Sequence, residues 1–99
     1  MIGTEALVER LRSLEDALAE QGVAHLAIFG SRARGDAREE SDLDLLIDVA
    51  PGRKFSLLDL VKVERQVTDE VGLPVSLVMR RSLLPDFAAT IENDIVEVF

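Results

Sequence analysis

From Asp42 to Val49 the chain alternates with a period of two, so that Leu43, Leu45, Ile47 and Val49 fall on one side and Asp42, Asp44, Leu46 and Asp48 on the other. Successive side chains separate in this way on an extended strand. The segment predicts a half-buried strand, with its carboxylates turned away from the core.

The neighbouring segments predict what that strand pairs with. Leu7, Leu11, Leu14 and Leu18 recur at helical spacing, with Glu5 and Glu9 in the first turns, which predicts one amphipathic helix over Thr4 to Gln21. Gly22 stands where a left-handed C-terminal residue is expected, and the apolar run Val23 to Phe29 predicts a buried strand that stops at Gly30. Ser31 to Ser41 carries three arginines, three acids and Gly35, and reads as a loop with a helical turn inside it.

Pro51-Gly52 ends the alternating strand. Ser56 with Asp59 predicts the capped start of a helix that carries Leu57, Leu60, Val61, Val67 and Val71 inward and closes at Gly72. Leu73 to Met79 reads as a third strand with Pro74 at its beginning. Pro85 suits the first turn of a last helix, on which Phe87, Ala88 and Ile91 share a face, and residues 95–99 form a short extended tail. The element order predicts an α/β fold: a small sheet of about three strands packed against helices. The chain shows no internal repeat, linker or low-complexity segment, so residues 1–99 are expected to form a single domain.

Composition narrows the chemistry. A net charge of -8 disfavours nucleic acid and anionic membranes as direct partners. The chain has no cysteine and one histidine, which removes disulfides, thiolate nucleophiles and imidazole-rich metal sites. Neither a signal peptide nor a membrane span is legible, and the simplest expectation is a cytoplasmic protein. At this length the core is modest, and help from a partner or a hetero-oligomer is expected.

The informative stretch is Phe29-Gly30-Ser31-Arg32-Ala33-Arg34-Gly35-Asp36, followed by Ser41-Asp42-Leu43-Asp44-Leu45. A glycine that ends a buried strand lets backbone approach a phosphate, and a following serine adds a hydroxyl and an N–H. Strand-ending turns also use such residues without any ligand. Alternate residues on a strand lie roughly 6.6 Å apart and face one way, so Asp42 and Asp44 can converge on a hard cation such as magnesium, or simply form a solvated face. Together, the turn and the acids would set a triphosphate beside the ion that neutralises it, which is the logic of phosphoryl transfer.

Gly30-Ser31, ten residues, then Asp42-x-Asp44, with Ala33-Arg34-Gly35 and Ser41 as flanks, resembles the signature of the minimal nucleotidyltransferases of the polymerase-beta-like superfamily. Such proteins commonly resemble the antitoxin half of toxin–antitoxin pairs whose partner is a HEPN ribonuclease toxin. The resemblance implies a nucleotidyltransferase fold, ATP as substrate, Mg2+ as cofactor and AMP transfer to a tyrosine of the toxin. By position, it implies that Gly30 and Ser31 bind the triphosphate and that Asp42 and Asp44 are catalytic and ligate the metal. Arg32 and Arg34 flank the phosphate, with solvent-facing loop charge as the alternative for each.

The chain departs from the family at one place. The third strand of relatives carries a further carboxylate that helps deprotonate the attacking hydroxyl, whereas Ser76 occupies that position here. Reduced activity, a substitute acid such as Asp48 or Asp86, and binding without catalysis are the competing consequences. Asp48, about 13 Å along the strand from Asp44, is poorly placed to substitute. Among other residues, His25 reads as a satisfied core histidine, Glu39 and Glu40 as solvated loop charges, and Lys62 and Arg65 as exposed. The competing functional classes are an antitoxin that acts by occlusion alone and a transferase acting on small molecules. The latter is disfavoured by the short chain.

Overall fold

The computed structural model describes residues 2–99. Among them, a mixed four-stranded sheet is covered on one face by three helices and on the other by one. Helix α1 spans Thr4–Arg12 and α2 spans Glu15–Glu20. The single helix expected over Thr4 to Gln21 is therefore interrupted, for a local reason. The Ser13 hydroxyl donates to the Arg10 carbonyl, and the Leu14 amide bonds back three residues to Leu11, which tightens the turn and starts a new helix.

Strand β1 (Val23–Phe29) pairs antiparallel with β2 (Leu43–Val49), and β2 pairs parallel with β3 (Val75–Met79). The tail becomes a fourth strand, β4 (Val96–Glu97), antiparallel to the free edge of β1, so the sheet order is β3-β2-β1-β4 where about three strands were expected. Between β1 and β2 lies a one-turn helix, α3 (Ser31–Arg34). Helix α4 (Leu57–Val71) connects β2 to β3, and α5 (Pro85–Ile91) follows β3, with Pro85 in its first turn.

The period-two pattern of β2 divides the sheet as expected. Leu43, Leu45 and Ile47 join Leu26, Ile28 and Leu77 in the main core beneath α1, α2 and α4. On the opposite face, Ala27, Phe29 and Leu46 form a second, smaller core closed by Ile91 of α5. Helix α4 begins with the capping box: the Ser56 hydroxyl accepts from the Asp59 amide, and the Asp59 carboxylate accepts from the Ser56 amide. Donation from the Ser56 amide and from its hydroxyl holds the Asp59 carboxyl below its ordinary range.

The inward face of α4 is Val63, Val67 and Val71, with Leu60 packed at its edge. Leu57 and Val61, expected inside, are exposed. The true stripe follows the four-residue spacing back from Val71 through Val67 and Val63, which leaves Leu57 and Val61 off it. His25 is also exposed rather than in the core: it lies opposite Asp48, on the face that carries Asp44 and outside the second core. Removing side chains tests this division. Leu45→Ala should cost about 2–5 kcal/mol in urea unfolding, whereas Leu57→Ala should fall within about 0.5 kcal/mol of wild type.

Candidate active site

Antiparallel register places Phe29 opposite Asp44, and Gly30 follows Phe29 directly. The backbone at Gly30 has φ 73° and ψ -156°, a region open essentially to glycine alone. A Cβ there would collide with Asp44 Oδ2 and lie 3.3 Å from its Cγ. The bend and the acid therefore touch, on one face of the sheet. Ser31 opens α3, where the first amides of a helical turn have no partner within the turn. The Gly30 carbonyl accepts from the Ala33 and Arg34 amides, and the Ser31 carbonyl from the Gly35 and Asp36 amides, so the bend is tightly closed.

Asp44 is half-buried, and Asp42 is exposed just ahead of the first residue of β2. Burial raises the Asp44 carboxyl above its ordinary pKa, the charge of Asp42 raises it further, and Arg34 partly offsets both. The two acids thus share one electrostatic environment with an arginine beside them. Two oxygen donors of this kind fit a hard cation that keeps waters and completes its shell with phosphates. Among the described residues, no three histidine, cysteine or acidic side chains gather into a metal-holding group of their own.

The two arginines of the turn have different fates. Arg32 is only 3% exposed; its guanidinium donates to the carbonyls of Arg38, Glu39 and Ser41, while its own carbonyl accepts from Thr4 of α1. It matches neither expected role, phosphate ligand or solvated charge: it organises the loop that leads into Asp42. Arg34 is exposed and pairs with Asp36 at 3.1 Å and Asp94 at 3.3 Å. No sequence signal separates the two, since both follow Gly30 within one turn.

Ser76 sits beside Asp44 in the parallel β2–β3 register, on the same face and exposed, where a third carboxylate would complete the set. Asp48 is held by Arg80, with Nε 2.9 Å and 3.1 Å from its two oxygens, and is unavailable as a substitute. Asp86 is exposed in the first turn of α5. Phe87, expected on the inner face of α5, is 46% exposed, with its ring 6.2 Å from that of Phe29 in a perpendicular arrangement.

The protein-family model described as a nucleotidyltransferase domain matches residues 11–98. The chain belongs to the nucleotidyltransferase domain family. It is 35% identical over 99 residues to the protein adenylyltransferase MntA of Thermococcus cleftensis, covering 99% of this chain and 98% of that one. A solved structure described provisionally as a minimal nucleotidyltransferase superposes with a TM-score of 0.80 at 33% identity, covering 96% of this chain and 95% of that chain. The fold is also shared with a complex of tri-AMPylated Shewanella oneidensis HEPN toxin and MNT antitoxin, at a TM-score of 0.68 and 12% identity, covering 97% of this chain and 71% of that chain.

Two tests follow from the geometry of this nucleotidyltransferase. Gly30→Ala should lower the melting temperature more than Gly52→Ala, because Gly52 also has positive φ but nothing within 4 Å of an added Cβ. The Gly52 variant should lose only the left-handed penalty of about 1–2 kcal/mol. Asp44 supplies a pH test. Its folded pKa is raised, so the folded state holds the proton more tightly, and stability falls as pH rises through the folded value. In chelator, Asp44→Asn should raise the melting temperature at pH 7, and the gain should shrink as the pH approaches the ordinary aspartate value of about 3.9.

Proposed function

We propose that this chain is a Mg2+-dependent protein adenylyltransferase that transfers AMP from ATP to a tyrosine of a HEPN-type toxin and acts as its antitoxin. The observation that carries the proposal is the contact between the Gly30 bend and Asp44, with Asp42 sharing the same field. The name of the Thermococcus relative and the AMPylated toxin in the Shewanella complex supply the acceptor class.

In this reading, Gly30 and Ser31 hold the triphosphate and Asp42 and Asp44 hold the metal. Bound magnesium would neutralise charge on the phosphates. The acceptor hydroxyl oxygen bonds to the α-phosphorus, the α–β bridging P–O bond breaks, pyrophosphate leaves, and the hydroxyl proton passes to solvent. Arg32 fixes the loop entering Asp42, and Arg34 offsets the paired carboxylates. Such chemistry rests on positioning and electrostatics rather than on a protein nucleophile, and a chain without cysteine suits it.

Ser76 supports a second reading, in which the protein neutralises its partner by binding with little or no turnover. A neutral hydroxyl beside Asp44 neither ligates magnesium well nor accepts the acceptor's proton, and a missing base costs about 10²–10⁴-fold in rate. Incubation with ATP, Mg2+ and the partner toxin should add the mass of AMP to the toxin, and Asp44→Ala should abolish the addition. Ser76→Asp should accelerate it. If wild type and Asp44→Ala both leave the toxin's mass unchanged yet both inhibit it, the occlusion reading stands instead.

A further inference from the structure

The face of the sheet that carries Asp44 is covered, beyond Phe29 and Leu46, by α5. That helix presents one side chain at the right place to meet a nucleotide. Phe87 packs its ring 6.2 Å from Phe29, the residue that enters the Gly30 bend and pairs with Asp44. The rings are nearly perpendicular, at 85°. Whichever ring presents its edge, at least one face of Phe87 is left uncovered by Phe29. Of the four phenylalanines, Phe29 is buried and Phe55 and Phe99 are packed against the main core, while Phe87 alone is exposed. Leu84, one turn earlier, is 74% exposed and extends the apolar surface.

Resting on the reading above, we infer that Phe87 is the platform on which the base of the bound nucleoside triphosphate stacks. A triphosphate gripped at Gly30-Ser31, with its charge met at Asp42 and Asp44, leaves the nucleoside projecting from the α-phosphate across this face. Phe87 is thus one aromatic contact away from the residue that pairs with Asp44 and leads into the Gly30 bend. A half-exposed aromatic stacks on any base because every base has a π-face. Phe87 therefore acts on binding, rather than on the bond-making step.

The chain contains no tryptophan or tyrosine, which makes Phe87→Trp a single-site reporter. Saturating ATP should quench the emission of this variant, whereas inorganic tripolyphosphate, which offers the same phosphates without a ring, should leave it unchanged while displacing ATP. Phe87→Leu keeps apolar packing on Phe29 but has no π-face; it should bind tripolyphosphate as wild type does and ATP about tenfold more weakly. Circular dichroism of both variants checks that the fold is retained, and either variant alone is decisive. Unchanged ATP affinity in Phe87→Leu, unchanged Phe87→Trp emission with ATP, or equal quenching by tripolyphosphate would overturn the platform while leaving the phosphate site intact. A wild-type protein that binds neither ATP nor tripolyphosphate would remove the nucleotide reading itself, and the platform with it.

Discussion

The structure turns on the close approach of the Gly30 backbone to the Asp44 carboxylate across two paired strands. Only a residue without a Cβ leaves room for that acid, and only the observed register brings the two together. A shift of one residue between β1 and β2 would carry every side chain of a strand to the other face, with the leucines of β2 in water and its acids in the core. The main hydrophobic core thus sets the active-site geometry indirectly. Burying Leu43, Leu45 and Ile47 under three helices fixes which way Asp44 must point.

A second constraint holds the loop between those strands. A buried guanidinium is costly unless its donors are used, and Arg32 satisfies that need with three backbone carbonyls of residues 38–41. The loop is therefore gathered around a charge rather than around apolar contacts, which suits a segment that is otherwise polar and exposed. Two residues on, the one-turn helix has rotated the chain so that Arg34 points outward to Asp36 and Asp94. Alternate positions in one motif thereby divide the work: one cation shapes the backbone and the other tunes the field at Asp44.

The strands were legible because their signals are local. Period-two alternation marked β2, a short apolar run marked β1, and Ser56 with Asp59 marked the start of α4. The acids and the glycine could be grouped from spacing and family likeness, and their facing one another follows from the strand period. What escaped depended on tertiary context. The break at Ser13 arises from a hydroxyl competing for a helical carbonyl, which leucine periodicity does not register. Leu57 and Val61 fit a helical stripe as well as Val63 does, and only the position of the sheet decides between them. The burial of Arg32 could not be read because charge in a polar loop ordinarily means solvent. The exposure of Phe87 was hidden for the converse reason, since an aromatic at helical spacing ordinarily means core.

The edge strand β4 closes the other side of β1. Val96 and Glu97 pair with Ile28 and Ala27, Leu26 exchanges backbone bonds with Val98 and Phe99, and Arg12 of α1 donates to the Val98 carbonyl. The strand leading into the Gly30 bend is thus flanked on one edge by β2 and on the other by residues about seventy positions later in the chain. During synthesis, β1 and β2 emerge well before residues 96–99, so the outer edge of β1 has no neighbour until that segment has been made. A nascent chain that has reached only β2 would carry Gly30, Asp42 and Asp44 together and still lack the strand that frames them on the far side.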